Sequence, residues 1–144
     1  MIRAVFFDAG ATLLHPQPPV EEVYEDVLPA LDGLGQRGLP LAIVSNWDSY
    51  LPTLLEALGL HGRFRTISVS AIEEVGKPDP EIFLRTCRRM DVEPAHVLHV
   101  GDSLAEDYQA ARAAGLSALL LDRTGRHPSM PDRIASLAEL TARL

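Results

Sequence analysis

Cysteine is nearly absent: Cys87 stands alone among 144 residues. No internal disulfide can form, and the chain suits a reducing compartment, with Cys87 as a structural thiol. Long hydrophobic runs are lacking too, since no apolar stretch approaches the ~18 residues of a membrane-spanning helix. Met1-Ile2-Arg3 leads directly into a strand pattern without the long apolar segment and small-residue cleavage site of a secretory leader, so the expected location is the cytoplasm. No stretch gathers Lys and Arg, and the net charge is −7. That balance gives no electrostatic footprint for nucleic acid or an anionic membrane, and neither is expected as a partner. Divalent cations suit it better. There is no internal repeat, and the 23% charged and 47% hydrophobic content is that of an ordinary globular chain rather than a disordered one. At this length one core suffices, and a single domain over 1–144 is expected.

What is present is an alternation. Ile2 to Phe7, Leu39 to Val44, His96 to Val100 and Ala118 to Leu121 are unbroken apolar runs rich in Val, Ile, Leu and Phe, with Thr66 to Val69 as a weaker fifth. Their continuity predicts strands buried on both faces. Helical patterns lie between them: Leu28 to Gln36, Ser49 to Leu58, Pro80 to Met90 and Leu104 to Ala114. The fold class that follows is α/β, a doubly wound, Rossmann-like parallel sheet. Asp79-Pro80 supplies an N-cap and a proline at the first helical position, where a missing N–H costs nothing. Ser103-Leu104-Ala105-Glu106 and Ser136-Leu137-Ala138-Glu139 have the spacing of capping boxes. The second would open a terminal helix with Leu137, Leu140 and Leu144 on one face, packed back on the core. Arg123 to Pro131 reads as a surface loop.

In open parallel sheets the ligand site lies beyond the carboxyl ends of the strands. Asp8 follows Phe7, Ser45 follows Val44, and Asp102 follows Val100-Gly101, so three strands deliver polar groups to one rim. Lys77 comes from the turn before the Asp79-Pro80 helix. Taken singly, Asp8 reads as a turn acid, Ser45 as a cap, Lys77 as a solvated charge and Asp107 as a first-turn acid beside a helix dipole. Together, in this order, the set Asp8, Ser45-Asn46-Trp47-Asp48, Gly76-Lys77-Pro78-Asp79-Pro80 and Gly101-Asp102-Ser103 to Asp107 resembles the active-site motifs of the haloacid dehalogenase-like (HAD) hydrolase superfamily. The likeness runs from Ile2 to Leu121.

The resemblance implies a HAD-like core in which Asp8 is the nucleophile of an aspartyl-phosphate intermediate. It implies Ser45, Asn46 and Lys77 as substrate contacts, with Ser45 bonded to a phosphoryl oxygen and Lys77 neutralising charge. It implies Mg²⁺ held by Asp8, Asp102 and the backbone carbonyl of Gly10, with Asp107 orienting Lys77 or a metal-bound water. His99 and His61 lack partners at zinc spacing and read as structural, and Glu73 and Glu74 as solvated.

Two departures matter. Phosphatases of the superfamily usually carry a second aspartate, the general acid/base, where this chain has Gly10. Losing such a group typically costs about 10² to 10⁴ in rate, least for acyl and aryl phosphates. His15 is a remote candidate to replace it. Second, 36 residues lie between Asp8 and Ser45, too few for the helical cap of the subgroup that the second motif resembles. The core is expected to be essentially capless, with 15–27 a vestigial cap segment holding one or two helical turns around Glu21 to Val27. Self-association into a homo-oligomer would be one way to cover the open site.

The expected function is a Mg²⁺-dependent phosphatase acting on phosphate esters or anhydrides of unidentified structure. The alternative from another class is a catalytically impaired relative that binds phosphate or a protein. Dehalogenases of the family also lack the second acid, but they replace the metal-binding aspartate that Asp102 retains, so a 2-haloacid dehalogenase stands behind both.

Overall fold

β1 (Ala4–Phe7) is apolar at every position because both of its faces are covered. Val5 and Phe7 enter one core cluster with Leu41 and Ile43, while Ala4 and Phe6 enter another with Ala42 and Val44. A strand sandwiched between two cores has no reason to alternate, which accounts for the unbroken runs in the sequence. The structure, a computed structural model, describes residues 1–16 and 22–144.

β2 (Leu41–Ser45), β3 (Thr66–Val69), β4 (Val97–Gly101), β5 (Ser117–Leu121) and β6 (Arg133–Ile134) complete one sheet in the order β3-β2-β1-β4-β5-β6. Every neighbouring pair is parallel. α1 (Val27–Gln36) and α2 (Leu51–Ala57) pack on one face through Leu31, Leu34, Leu51 and Leu55. α4 (Pro80–Met90) and α5 (Ala110–Ala113) cover the other through Ile82, Phe83, Met90 and Ala111, and the short α3 (Ser70–Glu73) follows β3. The doubly wound layout is therefore the one expected.

α4 has the predicted boundaries, and its start has a local cause. The Asp79 carboxylate accepts from the Glu81 N–H at 2.9 Å, and Pro80 stands where no donor is needed. Burial of Ile82, Phe83 and Met90 then adds about 1.5–3 kcal/mol each. Cys87 lies buried on the same face, and burial pushes its thiol up to about 11, an unreactive structural group.

Three elements depart from expectation. The helix from Leu104 to Ala114 begins as a π-helix, Leu104–Gln109, before tightening into α5. The terminal segment forms two 3₁₀ turns, Leu137–Glu139 and Thr141–Arg143, instead of one helix. Its capping box at Ser136 and Glu139 is present, and Leu137 and Leu140 are buried, but Leu144 is exposed. β6 was not anticipated: two residues are too short to give a periodic signal, and they pair because Leu120 and Leu121 lie open beside them.

The 15–27 segment is also different. Residues 17–21 lie outside the described part, residues 22–26 are not helical, and Val27 already belongs to α1. The flanks close as an antiparallel neck: Leu14 bridges Val23, the His15 N–H donates to Glu22 O at 2.7 Å, and the Tyr24 N–H donates to Leu13 O at 3.0 Å.

Candidate active site

The strand order reverses direction between β1 and β4, and that gap is where a parallel sheet opens a crevice at its carboxyl edge. Phe7 is in register with Val100, and the Asp8 N–H donates to Val100 O at 3.0 Å. Asp8 thus stands beside the Gly101-Asp102 turn. Ser45 ends β2 on the other side of β1.

Lys77 is brought in by a clamp rather than by an element of its own. The Asn46 side-chain amide donates to Lys77 O at 2.9 Å, and its Oδ1 accepts from the Lys77 N–H at 2.8 Å. Nδ2 also donates to Glu106 Oε1 at 3.2 Å. Asn46 therefore spends its amide on the Lys77 backbone, although the sequence reading set it among the substrate contacts. The Lys77 side chain, only 6% exposed as a residue, places Nζ 2.9 Å from Asp8 Oδ1 and 2.7 Å from Asp107 Oδ1.

Asp107 is fully engaged. Oδ1 also meets His99 Nε2 at 2.9 Å, and Oδ2 accepts from the Ser103 N–H at 3.0 Å. Ser103 Oγ caps the Glu106 N–H at 3.0 Å, yet the return half of the expected capping box goes to Asp107, leaving the Glu106 carboxylate for Asn46. The wide π turn, in which both Asp107 and Tyr108 N–H groups reach Ser103 O, sets this inward orientation. Gly101 is required: a Cβ there would lie 2.1 Å from Asp107 Cγ.

Three carboxylates, Asp8, Asp102 and Asp107, bring oxygens within 4.8 Å of one another, and two of them, Asp8 and Asp107, hold the Lys77 ammonium. Burial alone would lower the Lys77 pKa, but Asp8 and Asp107 outweigh it and hold the amine at about 12. Burial would raise Asp107, yet the bond to His99 and the charge of Lys77 keep it well below the carboxylate range. Asp102 has no such partner among the described residues. Although the residue is exposed, partial burial of its carboxyl and then the neighbouring Asp8 push it up to about 7. An excess of crowded hard oxygen donors fits a divalent cation of the Mg²⁺ type. Asp107 has its oxygens committed, which leaves Asp8 and Asp102 with side-chain capacity. Ser45 Oγ, on a residue 1% exposed, has no hydrogen-bond partner among the described residues, an expensive arrangement unless the hydroxyl serves a ligand.

Gly10 lies under an indole. A Cβ at position 10 would come 2.9 Å from Trp47 Cζ3, so Trp47 occupies the space a second acid would enter. His15 does not fill the gap: it stacks on Tyr24 with ring centroids 3.8 Å apart and is not among the clustered acids. His99, a lone histidine in an apolar strand, carries no local signal of its bond to Asp107, and Trp47 carries none of its place over Gly10.

A family model described as haloacid dehalogenase-like hydrolase matches residues 21–115. The chain is 40% identical over 104 residues to the haloacid dehalogenase-like hydrolase domain-containing protein 3 of Bos taurus, covering 72% of this chain and 41% of that protein. It is 33% identical over 118 residues to a glyceraldehyde 3-phosphate phosphatase of Methanopyrus kandleri, covering 76% of this chain and 47% of that one. The chain thus spans about half the length of the curated relatives it matches. In fold it is similar to the crystal structure of a HAD phosphatase from Thermococcus onnurineus, with a TM-score of 0.91 at 24% identity over 99% of this chain and 97% of that one. With the motif residues of four strand ends and turns gathered at one rim and the family model matching most of its length, the chain belongs to the haloacid dehalogenase-like hydrolase family.

Proposed function

We propose that the chain is a phosphatase-type hydrolase that works through an aspartyl-phosphate at Asp8. The observation that carries this is the buried Lys77 ammonium 2.9 Å from the Asp8 carboxylate, which holds the nucleophile in place and can offset charge on an incoming phosphoryl group. An Asp8 oxygen attacks phosphorus, the bond from phosphorus to the ester oxygen breaks, and the leaving oxygen departs with the electron pair. Water then attacks the acyl phosphate at phosphorus, releasing phosphate and restoring Asp8. Ser45 Oγ donates to a phosphoryl oxygen, Asp107, itself bonded to His99, fixes Nζ of Lys77, and Asn46 fixes the Lys77 backbone. Asp8, Asp102 and the Gly10 carbonyl would hold Mg²⁺, which when bound supplies charge neutralisation at the phosphoryl oxygens. No side chain at position 10 protonates the leaving oxygen, so acyl and aryl phosphates are the favoured substrates.

The same proposal has a phosphorylated small molecule as partner, in the cytoplasm, with neither nucleic acid nor membrane involved and a second copy of the chain as cover for the open rim. Among the described residues no helix is long and apolar enough to cross a membrane. A second reading, an impaired relative that binds phosphate without turnover, is favoured by one observation, the Trp47 indole over Gly10.

Hydrolysis of 4-nitrophenyl phosphate and acetyl phosphate with and without Mg²⁺ tests both. Activity that needs the metal and disappears in Asp8→Asn is the expected outcome. A lasting adduct at Asp8 without turnover would favour the impaired relative, and rates no higher than the Asp8→Asn control would refute the phosphatase.

A further inference from the structure

A groove of about 490 Å³ opens beside the acid cluster, between the linker after β1 and the loop after β5. It reaches Asp102 at the catalytic rim, Tyr24 on the linker, and Arg123 and Arg126 on the loop. Two arginines near the rim of a chain with net charge −7 call for an account of what each one faces.

Arg123 is spent. Its Nη1 donates to Asp26 Oδ2 at 2.8 Å, and its Nη2 donates to Asp26 Oδ1 at 2.9 Å and to Thr12 O at 2.8 Å. Its guanidinium also lies 3.8 Å from the centroid of the Tyr24 ring. His15 is centred 3.8 Å from the same ring, and two groups that close cannot share one face. Both faces of Tyr24 are therefore taken.

Arg126 is the opposite case. Its backbone N–H and that of His127 each donate to the Asp122 carboxylate at 2.9 Å, which pins the loop. That carboxylate faces inward, 5% exposed, and is balanced by Arg133 Nε at 3.1 Å. The Arg126 guanidinium has no carboxylate partner among the described residues and is exposed on the groove wall. The groove thus runs from the acid cluster, where the proposed function binds the phosphoryl group, to an uncompensated planar cation.

We propose that this groove is a subsite for a second anionic group on the substrate, a carboxylate or a phosphate held by Arg126. The substrate class is then a small phosphomonoester whose skeleton carries a further anion. The inference rests on the phosphatase reading, because that reading places the first phosphoryl group at Asp8.

Equilibrium binding tests it without requiring turnover. Methylphosphonate, phosphonoacetate and methylenediphosphonate are titrated into the full chain with Mg²⁺, for wild type, Arg126→Ala and Arg126→Glu. A charge-assisted hydrogen bond is worth about tenfold in affinity. Wild type should bind one of the two probes with a second anionic group about tenfold more tightly than methylphosphonate, and both variants should lose that ratio. The probe that shows the variant-sensitive ratio identifies the second group as carboxylate or phosphate. No preference in wild type, or a preference the variants keep, overturns the subsite. Failure of Asp8-dependent hydrolysis in the aryl phosphate assay would sink the phosphatase reading separately, with these ratios still readable.

Discussion

Lys77 and Arg123 are both largely enclosed cations held by aspartates, with side chains 2% and 18% exposed, but only one of them sits in a balanced cluster. Asp26 receives two bonds from Arg123, one from Ser136 Oγ at 2.9 Å and one from the Leu137 N–H at 2.9 Å, and in that group only Arg123 Nε lacks a partner among the described residues. This cluster ties the start of α1 to the loop after β5 and to the C-terminal turns. Lys77 meets two carboxylates, a third with a raised pKa lies beside them, and the nearby Ser45 hydroxyl is unpaired among the described residues. Satisfied charge marks a structural tie. Surplus charge at a rim marks a place where something else is meant to bind.

The largest test of this contrast is Lys77→Met. It leaves Asp8 and Asp107 without their cation, so urea unfolding should show a loss of about 3–5 kcal/mol. Aryl phosphate hydrolysis should fall at least ~100-fold, with part of the stability recovered by Mg²⁺. A loss no larger than that caused by removing Asp26 from the tie would show that the rim cluster is no less balanced than the tie.

Asp26→Ala should cost less, about 2–4 kcal/mol, and should gain nothing specific from Mg²⁺. Burial alone would raise the Asp26 pKa, but Arg123, Leu137 and Ser136 outweigh it and hold it below its ordinary value. A folded pKa below the unfolded one gives stability that is complete above the unfolded value of about 3.9 and lost as pH falls through the folded value. The gap between wild type and variant in thermal unfolding should therefore be constant near neutrality and shrink below about pH 4.

The smallest effect concerns position 10. Gly10→Asp alone should not raise alkyl phosphate hydrolysis, because Trp47 fills the space the new carboxyl needs. Paired with Trp47→Ala it should gain about tenfold, a fraction of what a well-placed general acid supplies. A gain in the single variant would show that the indole yields easily.

Much of this was readable in advance where the cause is local. Asp79-Pro80 starts α4 because a cap and a proline act within one turn, and the strand cores are visible because burial on both faces leaves no polar residue in β1 and only the terminal Ser45 in β2. Asp8, Ser45, Lys77, Asp102 and Asp107 were picked out because their spacing resembles a known family, and the fold brings Asp8, Lys77, Asp102 and Asp107 together with Ser45 at the neighbouring strand end. What could not be read depends on distant partners. Asn46 looks like a substrate contact until the Lys77 backbone is seen against it, His99 is an ordinary strand residue until Asp107 arrives from the π turn, and β6 exists only because β5 has a free edge.

The neck formed by Leu13 to His15 against Glu22 to Tyr24 has a consequence of its own. Its two strands are already brought together by backbone hydrogen bonds, and Tyr24 is fastened to the loop after β5 through Arg123. An insertion placed between His15 and Glu22 begins and ends at fixed points, so its closure cost grows only slowly with length. Whatever length of chain joins these two points, the bonds of the neck fix where it leaves and rejoins the core.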